Sequence, residues 1–397
     1  MTGASLPRSG LTTPLRDRPL RVVQVSFYVD PQGRNAETLL REWPTLAKVA
    51  AAVARAGVNV TIVQASDRRD TVYRDGIPFH FVDDRRGAPV RLPLGLRWPR
   101  RPTRILQMVA SLLPDVVHVH GFQYPVAIRQ LVRRMRGVPV LVQDHASAVP
   151  PPARRAVWRW ACAGVAAVAF TARAQAVPFV RAGVLRHDMP TFEVLEGSSD
   201  FTPGDRDLAR RRAGMSGTPS YLWTGHLDAN KDPLTVLEAF SRAAPRLPEA
   251  RLWCCFAKAP LLEAVRRRVA ADTVLASRVT LLGFRPHVEL EQYFRAADFF
   301  VQMSHREGSG YAVIEALACG TTPLVSDIAP LRRVVGSAGS LTPVGDAAAL
   351  ADAMVDWAGR DASALRRAAR ARFDEELTFD TIGRDLRRAY ETMAFAG

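Results

Sequence analysis

Glu307-Gly308-Ser309-Gly310-Tyr311-Ala312-Val313-Ile314-Glu315, followed by Ala316-Leu317-Ala318-Cys319-Gly320, lies between two strand-like segments, Asp298 to Ser304 and Thr322 to Asp327. The order predicts a strand, a glycine-bearing loop and a short helix. Gly308 and Gly310 let the backbone come close to a bound group, and the free N–H donors of the helix start suit an anion such as a phosphate. Glu307 and Glu315 repel that same phosphate, yet each carboxylate accepts hydrogen bonds from paired hydroxyls. A sugar attached to a diphosphate offers both features. The plainer alternative, a solvated loop glutamate and a helix glutamate in salt bridges, accounts for the pair. It does not account for the Gly-x-Gly, the small-residue helix and the returning strand around them.

Two glutamates with seven residues between them, the first on a glycine turn and the second in an Ala-rich helix, resemble the signature of the retaining glycosyltransferases of family four. The likeness continues through Thr321-Thr322-Pro323-Leu324-Val325-Ser326-Asp327-Ile328. It spans nearly the whole chain after residue 20 and is sharpest from Thr224 to Ile328. The resemblance implies transfer of a sugar from a nucleotide-diphosphate sugar with retention of configuration, a UDP-sugar first and a GDP-sugar second. It also implies no tightly bound cofactor or metal, and the sequence holds no Asp-x-Asp pair suited to one.

Composition sets the frame. A chain of 397 residues exceeds what one core usually serves, so two domains are expected, and 48% hydrophobic residues can fill both cores. Short apolar strands alternate with helices, which predicts α/β architecture with parallel sheets covered on both faces. The strands expected in the first half are 21–28, 58–64, 77–82, 115–120, 138–143, 165–170 and 192–195. Pro44 should kink or break the helix Ala36 to Ala56. Gly197 to Asp200, with Pro203-Gly204 after it, is the expected linker. Strands resume at 221–224, 252–256, 279–282, 299–303 and 323–325. The division is a flexible tail over 1–20, an acceptor-side domain over 21–197, a donor domain over 198–377 and a final segment over 378–397. The resemblance names this the GT-B fold: two Rossmann-like doubly wound domains facing across a cleft, with the last helix crossing back onto the first.

The formal charge of +15 comes almost wholly from arginine, since Lys48, Lys231 and Lys258 are the only lysines. The arginines form scattered clusters, among them Arg85-Arg86, Arg97 to Arg104, Arg133 to Arg136 and Arg154-Arg155, and no nucleic-acid motif accompanies them. A solvated basic surface, an acidic acceptor or peripheral contact with an anionic membrane fits them better than nucleic acid. Cys162, Cys254, Cys255 and Cys319 lie in or beside apolar runs without metal-ligand spacing, which suits a reducing cytoplasm. The longest small-apolar run is too short for a membrane span.

Thr224-Gly225-His226-Leu227-Asp228-Ala229-Asn230-Lys231-Asp232-Pro233 ends the first strand of the second domain, and Pro233 suits the first turn of the next helix. Lys231 is thereby placed on a strand-to-helix loop, where a compact cation can neutralise a diphosphate leaving group. Members of the resembled family carry an arginine where this chain has His226. By the same resemblance, Lys231, His226 and the amides of Gly308, Ser309 and Gly310 hold the diphosphate, Glu307 the sugar hydroxyls and Glu315 the ribose. Gly283 and Phe284, after the strand Val279 to Leu282, take the base. Ser304 ends its strand facing the same cleft if strand polarity holds; a helix or loop cap is the alternative.

On the first domain, Asp115-Val116-Val117-His118-Val119-His120-Gly121 alternates, so His118 and His120 share one face. His118 reads as a hydrogen-bonded core histidine, whereas His120 stands at the strand end. His145 follows Val140-Leu141-Val142-Gln143-Asp144 and matches the family histidine that contacts the transferred sugar. The loop Asp30 to Glu37 corresponds to the family's glycine-rich loop near diphosphate and acceptor, but keeps only Gly33 of two glycines. Arg34 is the expected substitute for the arginine missing near Lys231. The acceptor is a sugar, a lipid-linked sugar or a small molecule. Two rivals share the architecture: a sugar-nucleotide epimerase, which needs no acceptor, and a non-catalytic nucleotide-sugar-binding protein.

Overall fold

The computed structural model describes residues 18–84, 90–91, 97–98 and 103–395. Most of the expected tail and the Arg85-Arg86 cluster lie outside the described residues. Residues 18–20 belong to the first domain: Arg18 donates from both terminal nitrogens to Asp115 at 2.7 and 2.9 Å, and Leu20 is buried.

The described residues of the first half form ten strands: β1 (Arg21–Ser26), β2 (Asn59–Ser66), β3 (Asp70–Arg74), β4 (Ile77–Asp83), β5 (Val90–Arg91), β6 (Arg97–Trp98), β7 (Val116–His120), β8 (Val140–Gln143), β9 (Ala167–Phe170) and β10 (Thr191–Glu193). Eight of them form one sheet in the order β10-β9-β8-β7-β1-β2-β4-β3, and β5 pairs with β6 alone. Runs such as Val140-Leu141-Val142-Gln143 are buried on both faces, as parallel strands under helices must be. β5 and β6 pair antiparallel, and within the eight-stranded sheet one strand departs from the all-parallel expectation. β3 runs antiparallel to β4 across Asp75-Gly76, both at positive φ, the backbone that a tight Asp-Gly hairpin demands. Pro44 breaks the predicted long helix into Ala36–Glu42 and Thr45–Arg55.

The second half supplies β11 (Ser220–Gly225), β12 (Arg251–Phe256), β13 (Val279–Gly283), β14 (Phe299–Gln302), β15 (Thr322–Ser326) and β16 (Ser340–Thr342), in the order β13-β12-β11-β14-β15-β16, all parallel. This is a doubly wound sheet whose order reverses between β11 and β14. The first sheet reverses in the same way between β1 and β7. Ligands of such sheets bind beyond the carboxyl ends of the strands, at the reversal. The protein therefore has two such crevices.

The last helix, Phe379–Ala394, packs on Thr45–Arg55 of the first domain. The two helices approach so closely at Gly383 that a Cβ there would sit 2.3 Å from the Ala52 carbonyl oxygen. Tyr390 enters the first core, where its hydroxyl bonds His118 Nδ1 at 2.7 Å and accepts from Gln24 Nε2 at 3.2 Å. Burial pushes His118 down to about 3, so it is the neutral core histidine expected. The four cysteines are free and buried, and burial pushes the Cys162 thiol up to about 12. No described helix is long and apolar enough to cross a membrane.

Candidate functional site

The loop after β11 and the loop after β14 flank the reversal of the second sheet, and they are fastened together. His305 N–H donates to the Asn230 carbonyl at 2.8 Å, and Asn230 Nδ2 donates to the Arg306 carbonyl at 3.0 Å. The Asp228 carboxylate accepts from Lys231 N–H at 2.9 Å, which shapes the turn, and Lys231 Nζ closes the arrangement with an ion pair to Glu307 Oε1. Both side chains are mostly buried, at 20% and 10% exposure, so the pair is shielded from bulk screening. An ammonium beside a carboxylate at the head of a Gly310-capped helix offers a phosphate a cation and free amides, with acceptors for hydroxyls alongside.

The same loop docks on the first domain. Ser309 Oγ lies 2.6 Å from Thr171 Oγ1 and accepts from Glu196 N–H at 3.0 Å. Gln175 Nε2 donates to the carbonyls of Glu307 and Gly308 at 3.2 and 3.1 Å. A Cβ at Gly308 would lie 2.1 Å from Glu196 Oε1, and one at Gly310, whose φ is +73°, would lie 2.5 Å from Leu331 Cδ2. These positions were expected to face a donor. The Ser309 hydroxyl is instead a link between domains, and the missing side chain of Gly308 makes room for a carboxylate of the first domain.

Glu196 begins a chain of polar groups that the sequence did not announce. Its Oε2 is 3.5 Å from His145 Nδ1, His145 Nε2 is 3.1 Å from His120 Nδ1, and His120 Nε2 is 3.2 Å from Gln24 Oε1. Gln24 donates to Tyr390, so its oxygen faces His120 and His120 carries its proton on Nε2. Burial holds His120 well below the usual histidine value, leaving Nδ1 as an acceptor. His145 then donates from Nε2 to His120 and turns Nδ1 toward the Glu196 carboxylate. His145 and His120 are thus brought together, with Glu196 as a third member that the sequence did not announce.

Glu315 also has a partner absent from the sequence reading. His287 Nε2, at the start of the helix His287–Ala296, lies 2.5 Å from Glu315 Oε1, and its ring stacks on Phe201 with centroids 4.9 Å apart. The Glu315 hydrogen bond holds the His287 pKa above the usual 6.5. Gly283 ends β13 at a φ of +72°, and Phe284 beyond it is 65% exposed, so its ring does not serve the core. His226 is exposed and accepts at Nδ1 from Lys258 N–H at 3.4 Å, which brings a second lysine to this loop.

Three expected residues sit differently. Ser304 is fully buried and its hydroxyl has no hydrogen-bond partner among the described residues, so it neither opens on the cleft nor caps a helix or loop. Arg34 grips Asp30 at 2.8 and 2.9 Å and Glu42 at 2.7 Å, and stacks over Trp43. The Arg34 hydrogen bond pulls Asp30 down to about 2, so the guanidinium is already neutralised within its own loop. Gly33 is a turn at φ +63° whose carbonyl is held by Arg68 at 2.7 Å. Arg306, adjacent to Glu307 and exposed, has no ion-pair partner among the described residues and was not foreseen.

Two cavities meet this site. One of about 380 Å³ lies between the domains and is lined by Asp144, Ser147, Gln175, His305, Arg306 and Glu307, among others. Another of about 440 Å³ lies at the reversal of the first sheet and reaches His145, Glu196 and Tyr311. Among the described residues no cluster of His, Cys, Asp and Glu is arranged to hold a metal ion.

Residues 218–359 match the family described as glycosyl transferases group 1, and residues 43–190 match the glycosyl transferase 4-like domain. The GDP-mannose:cellobiosyl-diphosphopolyprenol alpha-mannosyltransferase of Xanthomonas oryzae pv. oryzae is 26% identical over 65% of this chain and 67% of its own length. The D-inositol 3-phosphate glycosyltransferase of Geodermatophilus obscurus is 37% identical over 49% of this chain. This second match spans 46% of that relative, about half its length. Among solved structures, sucrose-phosphate synthase from Thermosynechococcus elongatus shares the fold with a TM-score of 0.70 at 20% identity, covering 95% of this chain and 100% of that one. HepE of Anabaena, solved with UDP and glucose, gives 0.64 at 15% identity, covering 94% and 100%.

The His287–Glu315 pair carries a pH signature. A histidine whose folded pKa is raised contributes stability that is complete below its unfolded value and lost as pH rises through the folded value. The thermal midpoint of the wild type should therefore exceed that of His287→Ala most below pH 6.5, with the gap narrowing above it. A gap independent of pH would mean that the contact is packing rather than charge.

Proposed function

We propose that this chain, a group 1 glycosyltransferase of the family-four type with the GT-B fold, moves a sugar from a nucleoside-diphosphate sugar to a hydroxyl acceptor with retention of configuration. The Lys231–Glu307 pair at the reversal of the second sheet carries this reading. Lys231, with the amides of the helix start, receives the diphosphate, and Arg306, next to Glu307 in sequence, is a further cation. Glu307 takes sugar hydroxyls, Glu315 the ribose with His287 at its back, and the exposed Phe284 stacks on the base. His226 shapes this loop at its rim.

In the transfer, the acceptor oxygen bonds to the anomeric carbon while the bond from that carbon to the diphosphate oxygen breaks, its electron pair leaving with the phosphate. The acceptor proton passes to the departing phosphate oxygen on the same face. Positive groups aimed at that oxygen act where charge develops, and losing one such donor typically costs about 100- to 1000-fold in rate. His145, with Nδ1 turned toward Glu196, contacts the sugar as positive charge grows at its ring. UDP is the first candidate nucleotide and GDP the second. The relatives point both ways, one named for GDP-mannose and a fold neighbour solved with UDP.

Contact with an anionic membrane face rests on the helix Pro152–Cys162, where the exposed Val157 and Trp160 sit among Arg154, Arg155 and Arg159. Arg129 and Arg133 approach the Trp160 ring at 5.5 and 5.7 Å, extending the basic surface.

Two outcomes are expected. In a thermal-shift panel with UDP, GDP and ADP, one nucleotide raises the midpoint. Lys231→Ala then weakens it roughly 10- to 100-fold, the worth of a hydrogen-bonded charge, while Arg34→Ala leaves it unchanged. No shift from any nucleotide at millimolar concentration, about the weakest useful binding, removes the transferase reading. For the membrane contact, sedimentation with phosphatidylglycerol vesicles but not phosphatidylcholine vesicles, reduced in Trp160→Ala, is expected; equal sedimentation with both removes it.

A further inference from the structure

The cavity of about 440 Å³ in the first domain lies within the range of ligand pockets. It stands where the order of the first sheet reverses: Ser26 ends β1, His120 ends β7, and Gln64 lies on β2 beside them. Its walls come from different elements and are apolar for the larger part. Leu40 and Trp43 belong to the first helix and its end, Leu46 and Val49 to the second, and Tyr28 and Tyr124 to the loops after β1 and β7. Trp43 is 47% exposed and packs against Tyr28 at 5.5 Å between ring centroids, so an aromatic pair borders the mouth.

The cavity's polar side chains include Ser26, Thr45, Gln64, His120 and Gln123, and its one ion-pairing contact among the described residues is at Glu196. That contact joins Glu196 to His145, and Tyr311, the first residue of the donor-side helix, adjoins them. Although the protein carries 54 Lys and Arg, none lines this cavity among the described residues, and Glu196 is its one carboxylate. This combination discriminates between ligand classes. A phosphorylated or acidic acceptor would enter without a counter-charge and against a carboxylate, which is costly in a shielded site. An acceptor polar all round would leave hydroxyls facing Leu46 and Val49 without partners. A molecule with an apolar body and a hydroxylated head matches both the apolar wall and Glu196.

We propose that this cavity binds the acceptor, and that the acceptor is an amphipathic alcohol or glycoside: an apolar chain or ring lies between Leu46, Val49, Trp43 and Tyr124, with its hydroxyl head against Glu196 and His145. Calling the ligand an acceptor rests on the transferase reading; the existence and chemistry of the site do not. Glu196 adjoins Gly308, whose neighbour Glu307 is paired with Lys231, so a hydroxyl held there faces the donor side.

The test is a calorimetric titration of the whole protein, without nucleotide, against n-alkyl β-D-glucosides from methyl to octyl, each below its micelle-forming concentration. Glucose 6-phosphate serves as the phosphorylated probe. Affinity should rise about threefold to fourfold per methylene until the cavity is full. Trp43→Ala at the exposed mouth and Leu46→Asn in the wall should each flatten that dependence. Affinity independent of chain length, an unchanged slope in both variants, or glucose 6-phosphate binding more tightly than octyl glucoside would overturn the proposal. Since no donor is present, failure of the nucleotide panel leaves this result standing, and failure here leaves the donor site standing.

Discussion

The ion pair between Lys231 and Glu307 is the contact on which the rest of the site depends. A doubly wound sheet opens a crevice where its strand order reverses, and the two loops at that crevice must be held at a fixed distance to bind anything. Here the Asp228 turn, the Asn230 contacts and the buried charge pair hold them together. Breaking a shielded pair from one side strands the other charge, which is why such pairs order a loop more surely than an exposed salt bridge does. The partners also divide the chemistry, since an ammonium suits phosphate and a carboxylate suits hydroxyls.

That ordered loop is then the meeting point of the two domains. Ser309, Gly308 and the carbonyl of Glu307 are all engaged by Thr171, Gln175 and Glu196 of the first domain, so the site is assembled across the cleft rather than on one side of it. The last helix reinforces the arrangement from behind. Tyr390 reaches the end of a polar chain that runs through Gln24 and His120 to His145, tying the position of that histidine to the docking of the final helix.

Much of this was legible in the sequence because the signals are local. The glycine loop, its two glutamates and the lysine loop each sit on a strand-to-helix turn, and the apolar strands that deliver them are short and unambiguous. The elements missed were brief or charged. β3 is the polar Asp70-Thr71-Val72-Tyr73-Arg74, although the Asp75-Gly76 turn beside it was a hairpin signal, and β16 has three residues. What no single sequence shows is pairing at a distance. Glu196 with His145, and His287 with Glu315, join residues on separate elements, and nothing in either segment names its partner. Arg34 is the contrary case. Asp30 stands four residues before it, so the carboxylate that neutralises it is itself a local signal.

The most direct test of the account is a crystal structure of the protein grown with the nucleoside diphosphate that binds best. The account predicts diphosphate oxygens within hydrogen-bond distance of Lys231 Nζ and of the amides at the start of Tyr311–Ala318, with the base against Phe284. Nucleotide bound elsewhere, with Lys231 still held only by Glu307, would contradict it.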